Sequence, residues 1–254
     1  DWPKMGLGEW RFDTNRQNMI NFWEEWAKKR GPYEAVWTIG MRGVHDAPML
    51  GPPDMPGKVK LLESAIDAQR DLLRKYVNPD IEKVPQVFCP YKEALQQYRA
   101  GLKLPDDVII CWTEDNYGWI RQLSDPKEQA RKGGSGVYYH ISYLGSPFSY
   151  VWIETTPPAL IWEEMSKAYD HGIRNLWILN VGDLKPGEIG IDFFMQMAWD
   201  EQKWNLQTLP DYLQSWAAEQ FGPQYAQNSA GITAEYYQLD YQRKPEHLQW
   251  SIRG

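Results

Sequence analysis

Trp37-Thr-Ile-Gly-Met-Arg-Gly-Val-His-Asp46 is an apolar run that stops on three charged or titratable side chains, Arg42, His45 and Asp46. A short apolar block bounded by glycine reads as a buried parallel strand, and in a barrel of such strands the reactive groups stand where each strand ends. The same pattern returns four times. Val84 to Cys89 leads to Glu93, Val108 to Trp112 leads to Glu114, Asp115 and Asn116, Gly136 to Ile141 carries Tyr138 and His140, and Leu176 to Leu179 ends on Asn180 and Asp183.

Helical segments separate these blocks. Asn15 to Lys29 puts Met19, Phe22, Trp23 and Trp26 on one stripe, and Lys58 to Tyr76 does the same with Leu62, Ile66, Leu73 and Tyr76. Thr156 and Pro157 form a start signal for a helix over Leu160 to Tyr169, with Gly172 as its stop. Strand and helix therefore alternate from about residue 14 to 200, which predicts a parallel α/β architecture. After Asp200 only helices are expected: Thr208-Leu-Pro-Asp211 opens one that runs to Phe221, and a second covers Ala226 to Arg243, with Tyr236, Tyr237, Leu239 and Tyr241 suggesting a packing face. Five strands fall short of a closed eight-stranded barrel, which leaves an open sheet or part of a barrel. The Lys132-Gly-Gly-Ser-Gly136 segment reads as a turn.

At 254 residues, 43% hydrophobic and 24% charged, the composition is that of a globular protein with a sizeable core. A net charge of -7 argues against a nucleic-acid partner, which needs clustered Lys and Arg. No apolar run approaches the roughly 20 residues of a membrane span. Cys89 and Cys111 fall in or beside strand blocks and are expected to be buried free thiols. The chain starts Asp-Trp-Pro-Lys without an initiator Met and reads as a piece of a longer protein. In isolation such a piece is expected to aggregate through unpaired strand edges.

The runs Thr38 to Met49, Val84 to Glu93, Trp112 to Gly118, Gly136 to His140 and Leu179 to Pro186 resemble glycoside hydrolase family 115, the xylan α-glucuronidases, over about Gly31 to Gly222. The resemblance implies a partial (β/α)8 TIM-type barrel, about the last five strands, over residues 1–205, followed by the start of a helical domain over 206–254. It further implies an inverting enzyme that removes (4-O-methyl)glucuronic acid from xylan. Motif by motif, the site residues fall on Arg42, Asp46, Glu93, Asn116, Tyr138 and His140. Ala47 stands where an acidic residue is common in the family, and the earlier barrel strands have no counterpart, so activity of this piece alone is not implied.

The residue chemistry fits such a reaction. Glycoside hydrolysis needs one carboxyl group to protonate the leaving oxygen and another to activate water or attack carbon. Asp46 and Glu93 are the expected pair, although Asp46 could be a plain turn carboxylate and Glu93 an ordinary first-turn helix residue. Arg42 suits a uronate carboxylate through two parallel hydrogen bonds, or an ion pair that orients Asp46. Tyr138 and His140, two apart in a strand, share a face. Asn116 can donate to and accept from sugar hydroxyls, whereas Glu114 and Asp115 read as a solvated turn. Asn180 and Asp183 are second choices for substrate contact, and Trp112 and Trp119 are candidates for stacking on sugar.

No cofactor is expected, and without a motif such as His-Glu-x-x-His neither is a catalytic metal. The expected partner is glucuronoxylan or its oligosaccharides, with no nucleic acid and no membrane, and homodimerisation of the parent is an open option. A polymeric substrate implies a secreted or periplasmic parent. Two other functions compete: a non-catalytic carbohydrate-binding remnant, and a barrel glycosidase for another sugar.

Overall fold

The computed structural model describes residues 2–142 and 153–242. Among the described residues five strands are present: β1 (Trp37–Thr38), β2 (Gln86–Phe88), β3 (Ile109–Thr113), β4 (Ser135–His140) and β5 (Ile173–Asn180). The helices are α1 (Arg16–Arg30), α2 (Met55–Tyr76), α3 (Glu93–Arg99), the one-turn α4 (Pro126–Gln129), α5 (Pro158–Asp170), α6 (Glu188–Trp199), α7 (Leu209–Phe221) and α8 (Ala226–Gln242). Strand and helix alternate through α6 and helices follow. This is the layout of a partial (β/α)8 barrel with a helical continuation. The chain forms two compact units, residues 1–112 with 126–135, and residues 113–125 with 136–254.

In the first unit β1, β2 and β3 lie side by side in chain order, all parallel, with Thr38 opposite Val87 and Phe88 opposite Ile110. Parallel strands need a crossover, and α2 supplies one. Asp54 caps α2 by accepting the Gly57 N–H at 2.7 Å, and Leu62, Ala65, Ile66 and Leu73 bury its inner face. Arg70 on that helix is itself buried. It donates to both Asp107 carboxylate oxygens (2.9 and 3.0 Å) and to Gln86 Oε1 (2.8 Å), so a charged fork ties α2 to the starts of β2 and β3. On α1, Met19 is buried but Trp26 is exposed, so the expected stripe packs along only part of its width.

In the second unit β4 and β5 are neighbours. Gly136 allows their close approach, since a Cβ there would stand 2.5 Å from the Leu176 carbonyl oxygen. The expected 132–136 turn is thus partly strand. Tyr139 stacks on Phe194 of α6, and Phe193 meets Tyr212 of α7 edge-on at 4.7 Å, which joins sheet to helices through aromatic contacts. Thr156 does not cap α5. It is buried, and Pro157 occupies the cap position. Tyr237 on α8 is buried and the Tyr236 hydroxyl donates to the Glu154 carbonyl (2.7 Å), whereas Leu239 and Tyr241 remain exposed. Arg243, the expected end of this helix, lies outside the described residues.

Candidate active site

In the first unit the chain past β1 is held before it turns. The Ile39 N–H donates to the Val87 carbonyl (2.9 Å). Gln69 of α2 then grips Gly40 from both sides, accepting its N–H (2.7 Å) and donating to its carbonyl (3.0 Å). Gly40 has φ +104°, and a Cβ would press on the Phe88 ring at 3.0 Å, so the sequence needs glycine there. Trp10 Nε1 donates to the Arg42 carbonyl (2.8 Å), pinning the residue that matters.

Arg42 meets both candidate acids. Its Nε and Nη2 donate to the two oxygens of Glu93, each at 2.9 Å. Nη1 pairs with Asp46 Oδ1, and Nη2 also reaches the Asp46 carbonyl at 3.0 Å. Lys92 Nζ holds the other Asp46 oxygen at 2.7 Å, and the Tyr91 ring lies near both cations, 5.3 Å from the Arg42 guanidinium carbon and 5.0 Å from Lys92 Nζ. Glu93 opens α3, where the helix N-terminus favours negative charge. Lys92 and Tyr91 are cluster members that strand-end reasoning passed over. Their signal was adjacency to Glu93.

The second unit carries the other cluster. Glu114, past the end of β3, is buried rather than solvated. Its Oε1 lies 2.5 Å from His140 Nδ1, and its Oε2 accepts the Gly118 N–H at 3.1 Å. Asp115 Oδ1 accepts the N–H groups of Tyr117 and Trp119 (3.0 and 3.1 Å), closing a tight loop that presents Asn116. Burial leaves Asn116 Oδ1 without a partner among the described residues. Tyr138 and His140 share a face as their spacing predicts, ring centroids 5.0 Å apart, and Asn180 Nδ2 donates to the Tyr138 hydroxyl at 2.8 Å. Tyr139 faces the other way and donates to the Gly118 carbonyl (2.8 Å).

Asp183 stands apart. It is exposed and lines a small cleft with Ser142 and Glu154, with no hydrogen bond to Tyr138, His140 or Asn180 among the described residues. Trp112 is fully buried against Tyr98, which removes it as a sugar platform, while Trp119 is partly exposed beside Arg121. A cavity of about 530 Å³ lined by Arg174, Trp177, Trp199 and Asp200 contains none of the candidate residues. Among the described residues no three His, Cys, Asp or Glu side chains are grouped as a metal site, and no helix is long and apolar enough to cross a membrane.

Backbone strain falls on these same loops. Among the described residues, the non-glycine positions with positive φ are His45 (+55°), Asp46 (+65°), Lys92 (+50°) and Asn116 (+67°), each in a segment that follows a strand. Such conformations cost on the order of 1–3 kcal/mol each and persist where the surroundings enforce them.

Known proteins give the chain a lineage. The family model for glycosyl hydrolase family 115 matches residues 1–247. No curated protein matches. A solved structure described as a novel family GH115 4-O-methyl-α-glucuronidase, BtGH115A, with specificity for decorated arabinogalactans, is 41% identical with a TM-score of 0.94. The match covers all of this chain and 34% of that one, so the chain spans about a third of the relative's length. The chain belongs to glycosyl hydrolase family 115.

Proposed function

We propose that the protein containing this chain removes glucuronic acid or its 4-O-methyl ether from a plant polysaccharide, with Asp46 and Glu93 as the proton-transferring pair. The observation that carries this reading is the single guanidinium of Arg42 bridging both carboxylates. A bidentate fork on Glu93 and a pair to Asp46 hold the two acids in fixed relation. Fixed relation is what an acid–base pair on one glycosidic bond requires. The reaction is inverting, so water enters between the acids.

Asn116, Tyr138, His140 and Asn180 bind sugar hydroxyls in this reading, supported by the buried amide oxygen of Asn116, which has no partner among the described residues, and the strain on that residue. Asp183 contributes at the rim. Arg42 and Lys92 are the cations of this cluster that meet the uronate carboxylate in this reading, each paired with an acid in the free protein. Residues 1–205 belong to the barrel and 206–254 begin the helical domain. The parent works outside the cell or in the periplasm, where such polymers occur.

Glucuronoxylan is the substrate we favour from the family resemblance. Decorated arabinogalactan is the second, favoured by the name of the 41% identical relative. Incubating the full-length protein, and its Asp46→Asn and Glu93→Gln forms, with oligosaccharides of both kinds separates them. Free uronic acid is expected from one substrate class, as the β-anomer at first, and loss of release in both variants. Undiminished release by both variants removes the acid–base assignment, and binding without release favours a carbohydrate-binding protein.

A further inference from the structure

We propose that Glu114 is a positioning residue: it fixes His140 in the tautomer with the proton on Nδ1 and so sets the hydrogen-bonding sense of the ring. The inference rests on the glycosidase reading above, and it adds a residue that the sequence pattern had assigned to a solvated turn.

Glu114 is buried, and both of its oxygens are used. Oε1 faces His140 Nδ1 at 2.5 Å and Oε2 accepts the Gly118 N–H at 3.1 Å. An ionised carboxylate only accepts hydrogen bonds, so the nitrogen facing it must carry hydrogen. In the neutral ring that places the lone pair on Nε2. In the protonated ring Nε2 becomes a donor, with the Glu114 charge as its counter-ion. Tyr138 packs against the ring, 5.0 Å between centroids. The Gly118 amide holds the second carboxylate oxygen, and the Tyr139 hydroxyl donates to the Gly118 carbonyl.

A structural role alone would not require a charge. Glutamine could accept the Gly118 N–H equally well, and an uncompensated buried carboxylate is costly. Glutamine would do something else at His140. One arm of its amide must accept from Gly118, which turns the NH2 group toward Nδ1. Two donors cannot face each other, so the imidazole would shift its hydrogen to Nε2. A fold-preserving substitution thus reverses the hydrogen-bonding sense of the ring.

The test compares full-length wild type with Glu114→Gln and Glu114→Asp. Selective ¹⁵N-histidine labelling reads the tautomer directly, with His140 assigned by the resonance missing from His140→Asn. We expect neutral His140 to carry hydrogen on Nδ1 in wild type and Glu114→Asp, and on Nε2 in Glu114→Gln. Turnover in Glu114→Gln should fall by on the order of 10²-fold or more, as wrong-tautomer substitutions do elsewhere. KM should stay within a few-fold, and Glu114→Asp should recover part of the loss. A wild-type His140 with hydrogen on Nε2 overturns the inference, as does Glu114→Gln with unchanged kcat. If Glu114→Gln fails to fold, the wild-type tautomer and the Glu114→Asp kinetics still decide. Lack of uronic acid release by wild type would instead count against the glycosidase reading, which the tautomer measurement leaves separate.

Discussion

Arg42 grips Glu93 with a two-pronged fork, Nε and Nη2 each 2.9 Å from a carboxylate oxygen, while Nη1 of the same group pairs with Asp46. A planar guanidinium can hold two carboxylates in one plane, and an ammonium cannot.

Arg42→Lys should therefore leave a folded protein with displaced acids. Uronic acid release should drop by on the order of 10²-fold, mainly in kcat. Because the Arg42 and Glu93 side chains are only about a fifth exposed, the lost pairing should also lower stability by roughly 1–3 kcal/mol. Steady-state kinetics beside a urea melt measures both. Unchanged kcat would show that the fork does not set the acids.

Lys92→Ala removes a cation that holds Asp46 at 2.7 Å and lies near the Tyr91 ring. Both partners are largely exposed, so stability should change by less than about 1 kcal/mol. KM for a uronate-bearing oligosaccharide should rise several-fold, while affinity for the same backbone without uronate stays put. Equal effects on both ligands would deny Lys92 its part in uronate recognition.

Glu154 makes the second unit sensitive to pH. Burial pushes its carboxyl up to about 8, and the Tyr237 hydroxyl and Gly190 amide beside it offset this only in part. Neither carboxylate oxygen has a partner at good hydrogen-bonding geometry among the described residues. The folded state keeps the proton that the unfolded chain gives up near 4.5. Stability is therefore full below about pH 4.5 and is lost as pH rises toward 8, by on the order of 5 kcal/mol at most. Thermal melts from pH 5 to 8.5 should show this decline, and Glu154→Gln should flatten it. An unchanged slope in the variant would assign the decline elsewhere.

Gly118→Ala should destabilise by about 1–3 kcal/mol. The position has φ +91°, and a Cβ would meet Leu160 at 2.9 Å and the Tyr139 hydroxyl at 3.1 Å. Because the Gly118 amide also holds Glu114, the variant should lose activity more steeply than stability. A calorimetric melt matching wild type would show that the loop yields without cost.

Much of this molecule was legible in its residue order. Apolar blocks placed β2 to β5 to within a few residues, and helical periodicity located α1 and α2, because burial on one face leaves a repeating signature, while start and stop residues located α5, α7 and α8. β1 is shorter than its block, since Gly40 turns the chain after Thr38. The 132–136 segment looked like a turn because glycine is flexible, yet a Cβ at Gly133 or Gly136 would collide with the Val108 or Leu176 backbone. There glycine serves close packing.

Local order thus determined the strand–helix rhythm, the polar strand ends and the residues Arg42, Asp46, Glu93 and His140 that they carry. It could not say which side chains share a partner, because partners are chosen by atoms far apart in the chain. Only the tertiary structure decided that Arg42 joins Glu93 across 51 positions, that Glu114 is buried beneath His140 instead of solvated, and that Trp112 belongs to the core. The physical reason is that burial and hydrogen-bond directionality are properties of assembled surfaces, whereas periodicity belongs to the chain itself.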